Sequence, residues 1–144
     1  MKKYIVKFFL IAVILFIPKT QSGQCESDDF MDKCAGSLGG FTFLKSFSYK
    51  SKTDNKKEIS YLFSKGSGYV IVVCDQNKPG SKMIMSLYDR GHKFIASTYN
   101  KSTKKHYPSI NYPCSATGIY YIETQFESET DACGVSIIGF EKKK

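Results

Sequence analysis

Hydrophobic positions along the chain follow three rhythms. Residues 8–17 form an uninterrupted apolar block that ends at Pro18. Further on, Phe30, Met31, Cys34, Ala35 and Leu38 recur at helical spacing, with Ser27 or Asp28 placed to cap the first turn and Gly39-Gly40 to stop the last. The first turn is acidic (Asp28, Asp29, Asp32), which suits the positive end of a helix dipole. A helix of about ten residues is too short to be stable alone in water, so this one must lie against something else.

From residue 41 the period becomes two. Residues 41–49 alternate, with Phe41, Phe43, Phe47 and Tyr49 in phase; a Lys-rich turn occupies 50–57, and Ile59, Tyr61 and Phe63 alternate again. Gly66 and Gly68 turn the chain into 69–75, a continuous apolar run of the kind found where a strand is covered on both faces. Asn77, Pro79 and Gly80 break the pattern; Met83, Met85 and Leu87 share a face; Asp89-Arg90-Gly91 turns; and 93–99 supplies a hairpin partner. After a polar loop at 100–105, strands are predicted at 107–112, 117–126 and 132–140. Eight short strands with turn signals roughly every ten residues predict an all-β fold, an antiparallel β-sandwich preceded by one short helix. A jelly-roll order is favoured over an immunoglobulin-like one, and a single closed barrel is disfavoured because 69–75 is apolar on both faces while its flanking strands are two-faced.

The apolar block at 8–17 is an address rather than part of that domain. Ten residues at about 1.5 Å rise cover roughly 15 Å, half of a hydrocarbon core. A basic start (Met1, Lys2, Lys3), a short apolar stretch, a helix-breaking Pro and then Thr20, Ser22 and Gly23 have the layout of a secretory signal peptide. The competing reading is an uncleaved anchor starting at Tyr4, in which Lys7 would have to snorkel. The chain therefore divides into a signal peptide at 1–24, an N-terminal helical segment at 25–40 and the β-sandwich domain at 41–141. The formal charge of +8 shrinks accordingly: residues 1–24 carry four lysines and no acid, which leaves +4. That no longer argues for a polyanionic partner.

Export permits disulfides, and Cys25, Cys34, Cys74, Cys114 and Cys133 follow the signal. Five is odd, so at least one thiol is free, lipidated or paired with another chain. Cys34, Cys74, Cys114 and Cys133 are the disulfide candidates. Cys114 ends one strand and Cys133 starts the last, and a bridge there would close a loop of about 19 residues, worth about 3 kcal/mol by chain-entropy arithmetic. The other reading of Cys74, in its apolar run, is a small buried side chain. Cys25 is the candidate for lipidation or a free thiol, although Ser22 and Gln24 depart from a lipobox. No metal site is expected, since no Cys pair has zinc-ligand spacing and His92 and His106 sit apart, and no cofactor motif is present.

Catalysis is not expected. There is no G-x-S-x-G elbow, His92 lies in a hairpin turn, and His106 opens a strand after Lys104-Lys105. Glu123, Glu127 and Glu129 are read as lining the solvent face and loop around one late strand. The basic stretches at 50–57, 101–105 and 142–144 solvate turns and protect edges. Arg90 is the sole arginine, which together with the export signal disfavours nucleic acid as a partner. Sugar binding is the first thought for an exported jelly roll rich in aromatics, with Tyr99, Tyr107, Tyr112 and Tyr120 the candidate ligand-binding residues and Tyr121 beside them. Against it, Trp is absent, and ten Tyr and eleven Phe at strand period serve first as core.

The segment Met83-Ile-Met-Ser-Leu-Tyr-Asp-Arg-Gly-His-Lys-Phe-Ile-Ala-Ser97, followed by Ala116-Thr-Gly-Ile-Tyr-Tyr-Ile122, resembles the pre-peptidase C-terminal β-sandwich modules appended to secreted bacterial peptidases. The resemblance covers residues 58 to 140 and implies a jelly roll. In style the whole chain is also similar to small exported proteins of Bacteroidetes-type bacteria whose function is unassigned. One departure matters: an acidic pair that can hold calcium in those modules is replaced here by Lys82, Met83, Ile84 and Met85, and Asp75 and Asp89 read as turn residues. The expectation is a non-enzymatic exported module in the periplasm or at the cell surface, binding a glycan or protein partner and touching membrane only through its signal or a lipid anchor. The alternative is a structural or assembly component attached through an unpaired or lipidated Cys.

Overall fold

Alternating strands cut by Gly, Pro and Asx turns bury their apolar faces here by stacking as sheets. The computed structural model describes residues 27–128 and 131–142; the signal segment, Cys25 and Glu129 lie outside the described residues. Helix α1 (Ser27–Gly36) is followed by β1 (Thr42–Lys50), the single helical turn α2 (Ser51–Asp54), β2 (Lys57–Phe63), β3 (Ser67–Asp75), β4 (Met83–Tyr88) and β5 (Phe94–Ser97). Then come the two-residue strands β6 (Tyr99–Asn100) and β7 (Lys105–His106), and β8 (Ser109–Pro113), β9 (Gly118–Phe126) and β10 (Cys133–Lys142). One antiparallel sheet runs β1-β10-β3-β8 and the other β2-β9-β4-β5, while β6 and β7 pair as a separate ribbon. Numbered without the ribbon, the eight long strands run 1-8-3-6 opposite 2-7-4-5, which is the jelly-roll order.

The core between the sheets takes Tyr49, Tyr69, Ile71, Ile110 and Ile138 from the first sheet and Phe63, Met85, Leu87, Tyr120, Ile122 and Phe126 from the second. Phe63 sits at its centre, stacked on Tyr69 with ring centroids 3.9 Å apart and on Tyr120 at 5.0 Å. The outer face of the first sheet is also dry. Val70, Val72, Val135 and Ile137 there meet Cys34 and Leu38 from α1 and the turn after it. The continuous apolar run of β3 therefore has its reason: one face looks into the sandwich and the other is covered by the helix. Gly139 makes the close approach possible, since a Cβ there would stand 2.7 Å from Leu38 Cδ2 and 3.0 Å from Val70 Cγ1.

A disulfide from Cys34 to Cys74, Cα atoms 5.8 Å apart, fastens α1 to the end of β3. Cys74 is thus both buried and paired. The expected bridge from Cys114 to Cys133 is not formed: Cys114 is a free, buried thiol, and Cys133 is disulfide-bonded elsewhere. Register explains why. The Cys114 N–H donates to the carbonyl of Ser67 at the start of β3, whereas Gly134, next to Cys133, pairs with Asp75 at its end. Eight steps along a strand at about 3.3 Å each separate the two by about 25 Å, far beyond the roughly 7 Å that a disulfide can join.

One strand departs from its predicted phase. A register shift between Phe43 and Lys45 inserts Leu44 as an extra residue opposite β10, so Phe47 and Tyr49 keep the core face while Phe43 turns outward and is 51% exposed. The Lys-rich turn is more ordered than its composition suggests. Asp54 accepts the Lys50 N–H and the Lys57 ammonium, both at 2.9 Å, and Ser51, itself buried, accepts the N–H of Ala132 at 3.0 Å. Partial burial works to raise the Asp54 pKa, but these donors outweigh it and hold the carboxyl below the usual range. Asp75 and Asp89 are turn residues: Asp75 accepts the N–H groups of Asn77 and Met83, and Asp89 those of Gly91 and Lys93.

Candidate functional site

Among the described residues, no helix packs on the outer face of the second sheet. Reading across the register, one outward row is Glu58, Glu123, Ser86, Ser97, and the next is Tyr121, Tyr88, Phe94. A second register shift, between Leu87 and Tyr88, places Phe94 rather than Ile95 opposite Tyr88, and the two rings meet edge to face at 5.9 Å. Phe94 is 57% exposed as a result, while Ile95 packs on the core.

The β6–β7 ribbon makes the other wall. Buried Thr98 anchors it to β4: its hydroxyl accepts the Met85 N–H at 2.9 Å, its N–H donates to the Met85 carbonyl, and its carbonyl accepts the Tyr107 N–H at 2.7 Å. At the tip, Asn100 Oδ1 accepts the N–H groups of Ser102 and Thr103, and Lys104 takes a positive φ of 53° to close the turn. His106 lies 2.7 Å from the Glu127 carboxylate and against the Tyr99 ring, which ties the ribbon to the end of β9. Fixed in this way, Tyr99, Asn100, Lys101 and Tyr107 face Tyr88 and Phe94 across a groove of about 750 Å³ whose floor includes Ile84, Ser86, Ser97, Glu123 and Gln125. Aromatic walls over a polar floor suit a ligand with flat apolar faces and edges rich in hydroxyls.

The four candidate tyrosines are divided by the structure. Tyr99 and Tyr107 line the groove, and Tyr107 is 41% exposed. Tyr112 and Tyr120 do not line this groove; they border a smaller one of about 370 Å³ that shares Phe94 with it, packed on Phe63 and bonded hydroxyl to hydroxyl at 3.2 Å. Tyr120 is only 4% exposed, and its hydroxyl donates to the Ala116 carbonyl. Burial first, then the neighbouring Tyr112 and Cys114, push its phenol pKa up. The Cys114 thiol donates to the same carbonyl at 3.2 Å. Sequence reasoning missed Tyr88, Phe94 and Glu123. Phe94 opposite Tyr88 depends on a register shift that leaves no mark in the pattern, and Glu123 has the sequence pattern of an ordinary solvent-facing acid.

The two histidines have carboxylate and aromatic neighbours. His92 lies 3.5 Å from Glu58 and stacks on Tyr121 at 3.9 Å, and His106 has Glu127 and Tyr99. Among the described residues neither imidazole is hydrogen-bonded to a hydroxyl or a thiol. Also among the described residues, no helix is long and apolar enough to cross a membrane. Compared with known protein families and with curated proteins, the chain matches none.

Proposed function

We propose that this is an exported, non-enzymatic jelly-roll module that binds a glycan, in the periplasm or at the cell surface, through the groove between the outer face of β4–β5–β9 and the β6–β7 ribbon. The observation that carries the reading is the groove itself, in which four aromatic side chains from two separately anchored elements face each other over hydroxyl, amide and carboxylate groups. Export rests on the signal-like start of the sequence, and the Cys34–Cys74 disulfide is compatible with it. Kinship with the pre-peptidase C-terminal modules stays part of this proposal; the two stretches that suggested it form β4, β5 and β9, the floor of the groove.

Attachment through an unpaired cysteine has less support. The free thiol among the described residues is Cys114, which is buried and offers no handle for another chain. A protein partner is the second reading, and what favours it is the exposed cross-strand pair Leu62 and Ile119 on the same sheet.

Isothermal titration against neutral oligosaccharides tests the glycan reading. Tyr99→Ala and Phe94→Ala should each weaken binding about tenfold or more, the scale of one lost aromatic stacking contact. Leu62→Ala should leave affinity within about twofold, since it lies outside the groove. Loss of binding in Leu62→Ala with none in the two groove variants would move the site to the other patch.

A further inference from the structure

Resting on that reading, we infer that the groove selects oligosaccharides of amine-bearing, glucosamine-type units, and that the Glu123 carboxylate is the group that selects them. Glu123 lies on β9, a central strand, with Ser86 beside it on β4 and Glu58 beside it on β2. Glu58 is occupied by His92, and the carboxylate of Glu127 by His106. The Glu123 carboxylate has neither a hydrogen bond nor an ion pair with any described residue, and it is the one carboxylate among the residues that line the groove. It is half-buried there.

An unpaired carboxylate on the floor of an aromatic-walled groove has a definite complement. A protonated amine can donate to it in a charge-assisted hydrogen bond, and the same cation is attracted by the faces of nearby rings. A sugar carboxylate or sulfate would meet repulsion at that point. Lys101, the groove's cation, favours the opposite ligand, but it is exposed at the tip of the ribbon, where water and salt screen it, whereas Glu123 acts from a half-buried position. A neutral or N-acetylated sugar could still stack on the rings but would leave the carboxylate without a charged partner. The set of groups in the groove therefore ranks ligands: amine-bearing first, neutral second, acidic last.

The test is titration calorimetry of the full chain with a glucosamine tetramer, its N-acetylated counterpart and an oligogalacturonate of the same length, at a pH where the amines are protonated. The glucosamine tetramer should bind about tenfold tighter than the N-acetylated one, the scale of one charge-assisted hydrogen bond. Glu123→Gln should erase that preference, so that the two tetramers bind alike, and Tyr99→Ala should weaken both. Equal binding of the two tetramers, a preference that survives Glu123→Gln, or tightest binding of the acidic oligomer would overturn the selection by Glu123 and leave the groove as a glycan site. If none of the three binds, the glycan reading falls and the inference falls with it.

Discussion

Replacing Phe63 with Ala will cost about 3–5 kcal/mol of folding free energy, the largest single-residue loss expected in this chain. Phe63 is fully buried at the end of β2, and it is the ring on which the two sheets meet: Tyr69 comes to it from the first sheet and Tyr120 from its own. Truncation removes both stacking contacts and leaves a void bounded by rings that are held in place. The Tyr69 hydroxyl accepts the Ser64 N–H at 2.9 Å, and Tyr120 is bonded to Ala116, so neither can swing in to fill the space. Urea denaturation should show a lower midpoint with an unchanged slope. Leu62→Ala, one residue away but exposed, should change stability by less than about 0.5 kcal/mol. A Phe63→Ala loss below about 1.5 kcal/mol would mean that the aromatic cluster is not where the sheets are joined.

Removing the Cys34–Cys74 disulfide by changing both residues to Ala is the second large effect. The bridge spans 40 residues, and chain-entropy arithmetic gives about 4 kcal/mol for a loop of that length. Leu38 and Val70 would still hold the helix segment, so the variant should fold, with a melting temperature lower by about 10 to 20 °C. It has a second signature. When α1 lifts, Val72, Val135 and Ile137 on the outer face of the first sheet meet water, so the variant should bind a hydrophobic dye well below its melting temperature. An unchanged melting temperature and no dye binding would show that α1 does not depend on the bridge.

These two effects mark the two layers of burial, and they differ in how legible they were. Pattern reaches what repeats. The continuous apolar run of β3 announced a strand covered on both sides, and the spacing of Phe30, Met31, Cys34 and Leu38 announced a helix that needed something to lie on. Each of these turns out to be half of one interface, and that pairing has no sequence signal. Cysteine pairing is not legible from order, because neighbours in order, the ends of β8 and β10, sit at opposite ends of β3 once the strands are in register. Phase was lost wherever a bulge inserted a residue, at Leu44 and again opposite Tyr88.

The groove was the least legible feature for the same reason. Tyr99 and Tyr107 were candidates as exposed aromatics, but Tyr112 and Tyr120 looked equivalent to them in composition and alternation. What separates the pairs is tertiary: a buried Thr98 lifts one pair onto a ribbon at the rim, and Phe63 draws the other inward. Glu123 is set apart only by its cross-strand neighbours, Glu58 paired with His92 and Ser86 uncharged, and that pairing has no sequence signal.

The central claim, that the outer face of β4–β5–β9 under the ribbon is the ligand site, is tested most directly by amide chemical shifts of the isotopically labelled protein during titration with the glucosamine tetramer. Saturable shifts are expected at Ser86, Phe94, Ser97, Tyr99, Asn100 and Glu123, with Phe43, Tyr112 and Tyr120 unmoved. Shifts gathered around Tyr112 and Tyr120, or around Leu62 and Ile119, with the groove silent, would contradict it.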